Sequence, residues 1–159
     1  MVGETPASRV MLVVIDESAE LPVALRYACL RARHTGGRVA LLYVLEPGDS
    51  QQWRAVEDLM REESRAAAEA TMKRLSEQVF EASGSMPILY MREGKVRDQL
   101  LTLIEEEPSI SILVLGASIN PKGPGPLVTA LTGAFVSKLR IPITIVPGSL
   151  TDEQIENIA

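Results

Sequence analysis

Apolar residues in this chain fall into five short continuous runs separated by stretches of helical period. The runs are Arg9–Asp16 (RVMLVVID), Arg38–Leu45 (RVALLYVL), Met86–Arg92 (MPILYMR), Ile110–Leu115 and Ile141–Val146. Unbroken valine- and leucine-rich runs of this length predict strands buried on both faces, as in a parallel sheet. Pro87 in the third run places it at a sheet edge, because proline cannot donate to a ladder. Between the runs, helices are expected over Ser18–Thr35, Gln51–Ala82, Val96–Glu107 and from near Leu127 to near Leu139. Alternation of strand and helix predicts an α/β fold, a three-layer, doubly wound parallel sheet of five strands with right-handed crossovers.

The helical stripes are explicit. Leu21, Ala24, Leu25, Ala28, Cys29 and Ala32 recur at three- and four-residue spacing, Pro22 lies in the first turn, and Gly36-Gly37 ends the pattern. In the long second helix, Trp53, Val56 and Met60 mark one stripe and Met72, Leu75 and Val79 another, on a background of charges spaced four apart. The third helix points Val96, Leu100, Leu103 and Ile104 inward; the acidic run Glu105–Glu107 at its end opposes the helix dipole, so its last turn is expected to fray before Pro108. In the fourth, Leu131 and Ala134 share a face. At the tail, Thr151 and Gln154 form a capping box, and Leu150 with Ile155 a hydrophobic staple, for a short helix Asp152–Ile158. Its apolar edge must rest on this chain or on a partner.

Composition narrows the function classes. At 159 residues the chain favours one domain with a sizeable core. A net charge of -5 and 4% aromatic residues argue against nucleic acid or an anionic membrane as partner. No apolar run approaches the roughly 20 residues that span a bilayer, and the polar start MVGETPASR has no signal-like core, so a cytoplasmic setting is expected. One cysteine, Cys29, and one histidine, His34, exclude an internal disulfide and a Cys/His zinc site within one chain. Cys29 reads as a small core filler and His34 as a complement to a helix C-terminus. No metal site is expected. No nucleophile–base pair and no GxxxxGK[ST] pattern is present, so the chain is read as a non-enzyme.

The candidate chemistry lies in Ile112–Phe135, ILVLGASINPKGPGPLVTALTGAF. An apolar run ends at Gly116, a loop rich in glycine and proline follows (Gly123 and Gly125; Pro121, Pro124 and Pro126), and a helix begins near Leu127. Strand, glycine loop and helix N-terminus together bring free N–H groups to one place and suit an anion such as phosphate. The same residues also make an ordinary connection. Asp16 sits at the carboxyl end of the first strand, where open α/β sheets bind ligands; it reads equally as a cap or local partner of the next helix.

Taken in order, these segments resemble the universal stress protein family over roughly residues 9–147. VVIDES closes the first strand, Ala24-Leu25 falls in the first helix, GGRVALLYVLEP covers the second strand, EGKVRDQLLTLIEEEPSISILVLGA spans the third helix and fourth strand, and GAFVSKLRIPITIVP closes the domain. The resemblance implies strand order 3-2-1-4-5 and an adenine nucleotide alpha hydrolase-like fold, with residues 1–8 an extension and 148–159 a capping helix. It implies a homodimer through the last strand, Ile141–Val146. Some members of the family bind ATP and carry Gly-2x-Gly-9x-Gly-Ser/Thr. Here Gly123 and Gly133 keep the nine-residue spacing. Six residues rather than two separate Gly116 from Gly123, strict counting places Asn120 at the first glycine, and Ala134 followed by Phe135 replaces the hydroxyl residue. Asp16 aligns with the acid that contacts ribose or adenine, and Val14 and Val44 with the adenine pocket. Lys122 is either a phosphate contact or a solvated loop lysine. The implied site is therefore Val14, Asp16, Val44, Gly116, Gly123, Gly125, Gly133, Ala134 and Phe135.

Two functions are expected from these residues. One is a stress-response sensor or regulator that binds an adenine nucleotide, ATP with Mg²⁺ being the ligand the resemblance suggests. The other is a dimeric stress-response module that binds no nucleotide and acts through protein contacts.

Overall fold

The computed structural model describes residues 9–47 and 54–159, with backbone alone at 54–56. The extension 1–8 and the start of the second helix, Trp53 included, lie outside the described residues, as does the side chain of Val56. Five strands alternate with helices: β1 (Val10–Ile15), α1 (Leu21–Thr35), β2 (Arg38–Leu45), α2 (Arg54–Ser83), β3 (Ile88–Glu93), α3 (Val96–Glu106), β4 (Ile110–Ala117), α4 (Pro126–Thr132), β5 (Ile143–Pro147) and α5 (Asp152–Ile158). The sheet is parallel throughout, in the order β3-β2-β1-β4-β5. Every residue of β1 is buried, as its unbroken apolar run requires at the centre of a covered sheet.

Two apolar layers follow from the period-2 alternation of the strands. On one face, Met11, Val13, Ile15, Val39 and Leu41 pack with Ala24, Leu25, Ala28 and Cys29 of α1 and with Met72, Leu75 and Val79 of α2. On the other, Leu12, Val14, Leu42, Leu113 and Leu115 pack with Leu100, Leu103 and Ile104 of α3 and with Val128 and Leu131 of α4. The inward stripes expected for α1, α3 and the second half of α2 are thus the ones buried. Met60 is 57% exposed, so the first stripe of α2 meets no core at that position.

The departures have local causes. α1 begins at Leu21 rather than Ser18, because the Ser18 amide donates to Asp16 Oδ1 at 2.9 Å and the Ser18 carbonyl accepts from Leu21. β3 is shifted two residues at its start; Pro87 precedes it, and it lies at the sheet edge as proline predicted. β5 likewise starts after Pro142. β4 does not stop at Gly116: Gly116 and Ala117 pair with Val146 and Pro147. The end of α3 does not fray. Arg140 donates to the carbonyls of Ile104, Glu107 and Ile110, and the Glu107 amide bonds Leu103, which supplies the orphan carbonyls with partners despite the acidic run.

The largest correction concerns the fourth helix. It runs for 7 residues and does not continue to Leu139. Thr132 Oγ1 folds back on the Val128 carbonyl at 2.6 Å, Gly133 leaves helical geometry at φ -105° and ψ -114°, and the Phe135 amide closes on Ala130 at 3.1 Å. A single 3-10 turn, Val136–Lys138, follows. Ala134 is consequently exposed rather than on the buried face with Leu131.

The tail forms as the capping box requires: the Gln154 amide donates to Thr151 Oγ1 and the Thr151 amide to Gln154 Oε1. It rests on this chain. Ile155 is fully buried, and Arg26 of α1 pairs with Asp152 and Glu156.

Candidate functional site

The strand order reverses direction between β1 and β4. β1 leads through α1 to β2 on one side, while β4 lies on the other, so the loops leaving their carboxyl ends part and open a crevice. Three connected spaces lie there. A narrow slot of about 70 Å³ is lined by Val13, Val14, Asp16, Glu20, Gly116 and Leu127, among others. On its β2 side a cavity of about 740 Å³ is bounded by Val14, Asp16, Pro47, Val96, Leu127 and Ala130, with Glu46, Lys95 and Arg97 at its polar margin. On its β5 side a space of about 670 Å³ is lined by Glu20, Ser118, Asn120, Lys122, Gly123 and Gly125.

Sequence and structure agree on part of this set. Val14 and Asp16 line both the slot and the larger cavity. Val14 is buried with its side chain in the core layer, while Asp16 is exposed at the mouth. Asp16 is held by the next turn: Oδ1 accepts from the Ser18 amide and also from Ser18 Oγ. Gly116 lines the slot and Gly123 and Gly125 the space beyond it. Gly123 and Gly125 adopt φ +125° and +112°, values that side-chain-bearing residues rarely take, so the loop requires glycine at both.

Four expected residues lie elsewhere. Val44 is buried in the core layer with Val14 and Leu42 and lines none of the three spaces; Glu46 and Pro47, just past the strand, reach the cavity instead. Gly133, Ala134 and Phe135 fall at the far end of α4 from Gly123 and Gly125, because the short helix lies between them. A helix of seven residues separates its ends by about 10 Å. Phe135 instead packs on the α3–α4 layer beneath Arg97.

The loop between β4 and α4 is folded upon itself. The amides of Asn120 and Lys122 donate to Ser118 Oγ and Asn120 Oδ1, and those of Ser118 and Gly123 to the carbonyls of Pro124 and Asn120. These N–H groups are therefore engaged before any ligand arrives. Glu20 lines both the slot and the loop space. A Cβ on Gly116 would lie 2.9 Å from both Glu20 Cγ and the Glu20 carbonyl, and one on Gly148 would lie 3.0 Å from Glu20 Cβ. The Glu20 stem is thus seated in a notch that two glycines keep open.

Sequence reasoning did not select Glu20, Pro47, Val96 or Arg97. Each follows the carboxyl end of β1, β2 or β3, so the rule that singled out Asp16 applies to them as well. Among the described residues no group of three or more His, Cys, Asp or Glu has metal-binding geometry, and no helix is long and apolar enough to cross a membrane. The one cysteine, Cys29, lies in the opposite layer; burial pushes its thiol up to about 11, against a smaller opposing effect of Arg26.

Comparison with known proteins agrees with this fold. The model of the universal stress protein family matches residues 8–147. The chain superposes on universal stress protein UspA from Lactobacillus plantarum with a TM-score of 0.73 and 17% identity, covering 89% of this chain and 99% of that one. A universal stress protein solved in complex with cAMP gives a TM-score of 0.61 at 15% identity, covering 90% and 99%. One from Archaeoglobus fulgidus in complex with dAMP gives 0.58 at 16% identity, covering 88% and 98%. Comparison with curated protein sequences gives no match.

Proposed function

The chain belongs to the universal stress protein family, and from that premise we propose that it is a stress-response regulatory module that binds an adenine nucleotide in the crevice between β1 and β4. The observation that carries this reading is the cavity of about 740 Å³ with Asp16 at its mouth and apolar walls of Val14, Val96 and Leu127. Its size falls within the roughly 300–1,000 Å³ usual for small-molecule sites. An apolar cavity with a carboxylate at its mouth suits a purine nucleoside: the walls take the base, and an Asp16 carboxylate oxygen accepts from a ribose hydroxyl. Asp16 Oδ1 is already engaged with Ser18, which fixes the carboxylate for Oδ2 to accept. The complexes of similar proteins with cAMP and dAMP support an adenine ligand.

The residues fit the two ends of ATP unequally. The nucleoside end fits the cavity. The phosphate end meets a loop in which the amides of Ser118, Asn120, Lys122 and Gly123 are engaged, one lysine, Lys122, and the Glu20 carboxylate group. Mg²⁺ at such a site would be held mainly by phosphate and water, since Asp16 and Glu20 are the acids lining the slot.

A second reading is favoured by that same self-bonded loop: a module without nucleotide that acts through protein contacts. Both readings include a homodimer through β5, whose outer edge has no neighbouring strand in the sheet. Both also place the protein in the cytoplasm, where a free thiol such as Cys29 persists, and neither assigns it a catalytic turnover. The deciding experiment is calorimetric titration of nucleotide-stripped protein with adenosine, AMP and ATP–Mg²⁺. Saturable heat with AMP is expected. Absence of heat and of any thermal shift with all of them rejects nucleotide binding in favour of the second reading.

A further inference from the structure

Glu20 lines three adjoining spaces at the carboxyl end of the sheet. Its backbone carbonyl and its Cγ both lie 2.9 Å from the position of a Cβ on Gly116, and its Cβ lies 3.0 Å from that of a Cβ on Gly148. The stem of the side chain thus lies between the end of β4 and the segment after β5, in space that a side chain at either glycine would take. It lines the slot next to Asp16, the loop space that holds Lys122, and a third opening of about 460 Å³ between Ser118 and Gly148. Among the described residues it has no ion pair, and Lys122 is the one cation lining the loop space. Glu20 and Lys122 together leave that space without net charge.

A triphosphate adds about one to two negative charges with each phosphate beyond the first. Set on the loop, those charges would face the Glu20 carboxylate and a single lysine. The mouth of the larger cavity is likewise balanced, Lys95 and Arg97 against Asp16 and Glu46, but it offers two cations to a first phosphate where the loop space offers one. From this we infer that Glu20 is a specificity-determining residue that restricts the crevice to adenine ligands with at most one phosphate and disfavours ADP and ATP. The inference rests on the adenine-binding reading given above. Like charges about 6 Å apart at an effective dielectric of roughly 40 cost about tenfold in affinity, so one carboxylate is enough to reverse a preference.

The test is a calorimetric series with adenosine, AMP, ADP and ATP on the nucleotide-stripped full chain, on Glu20→Gln, and on Glu17→Gln. The amide keeps the volume of Glu20 in its notch. Glu17 is exposed, lines none of the spaces, and controls for net charge. The unaltered chain is expected to bind AMP at least tenfold more tightly than ATP. Glu20→Gln should raise ATP affinity about tenfold and move adenosine less than twofold, while Glu17→Gln leaves the ratio of AMP to ATP in place. ATP binding as tightly as AMP to the unaltered chain, or a ratio that Glu20→Gln does not move, overturns the assignment to Glu20 and leaves adenine binding standing. Failure of all four ligands on every variant overturns adenine binding itself, and the inference with it.

Discussion

The guanidinium carbon of Arg97 stands 4.1 Å from the centroid of the Phe135 ring, with Lys138 Nζ on the same ring at 5.2 Å. Arg97 opens α3 and Phe135 follows α4, so this contact fastens the two helices of one layer together. Phe135 is half-buried against that layer and lines none of the crevice spaces. Its work is packing. Phe135→Ala should lower stability by about 2–4 kcal/mol in urea unfolding, counting lost burial and the lost cation–π contact. Affinity for AMP, measured by calorimetry on the folded variant, should stay within about twofold. A tenfold loss of affinity would instead return Phe135 to the ligand site.

Asp16 has a structural and a binding role that two substitutions separate. Its Oδ1 organises the turn into α1 through the Ser18 amide at 2.9 Å. Asp16→Asn keeps an acceptor there; Asp16→Ala removes it and should cost about 0.5–1.5 kcal/mol. Both lose the ionised oxygen offered to ribose, so both should weaken AMP binding at least tenfold. Thermal melts and titrations on the pair give the two effects independently. Full affinity in Asp16→Asn would remove the carboxylate from the proposed pocket.

How much of this could be read from the sequence depended on whether the cause was local. Continuous apolar runs gave the five strands, and stripes such as Leu100, Leu103 and Ile104 gave the buried helix faces, because burial selects residue type directly. The Thr151–Gln154 box was legible for the same reason: both partners lie within one turn. The end of α3 was not, since its capping group, Arg140, lies 33 residues beyond Glu107. The length of α4 was not either; Gly133 and the Thr132 back-bond end it, and that misplaced Gly133, Ala134 and Phe135 together. Glu20 escaped notice because its part comes from two glycines distant in sequence, Gly116 and Gly148.

Arg140 offers a direct check on the capping of α3. Its guanidinium donates to the Ile104, Glu107 and Ile110 carbonyls, bridging the helix end to the start of β4. Arg140→Met keeps most of the aliphatic stem and removes every donor. A loss of about 1–3 kcal/mol is expected, because carbonyls in a partly covered site lose their partners. Amide exchange should accelerate at Glu106 and Glu107 well before the rest of α3. Uniform protection along the helix would show that water replaces the guanidinium at no cost.

β5 makes the proposed dimer accessible to experiment. Ile145 on this edge strand is 41% exposed, and an open edge that carries an apolar side chain offers itself for pairing. Sedimentation velocity at tens of micromolar should give a dimer for the unaltered chain and a monomer for Ile145→Lys, with far-ultraviolet circular dichroism unchanged. A monomeric unaltered chain would remove β5 as the interface, and an Ile145→Lys dimer would move the interface elsewhere on the surface.

Cys29 gives the fold a pH dependence whose sign is set by burial. Its thiol is 2% exposed beneath the sheet, and removal from water pushes its pKa from 9.0 to about 11, with Arg26 acting weakly the other way. The folded state therefore holds the proton more tightly than the unfolded chain does. That contribution is complete below pH 9 and is lost as pH rises through about 11, because the unfolded state gains by ionising first. Two units correspond to a loss of order 2–3 kcal/mol across that window. Tyrosine and lysine titrate in the same range, so the quantity to measure is the stability difference between the unaltered chain and Cys29→Ala. That difference should be constant from pH 6 to 8 and then shift towards the alanine variant by about that amount at pH 11. In parallel, a thiol reagent at pH 8 should label Cys29 only at the rate of unfolding, since a buried neutral thiol is neither accessible nor nucleophilic. Rapid labelling of the folded chain, or a difference that stays flat to pH 11, would mean that α1 opens locally and leaves Cys29 in contact with water.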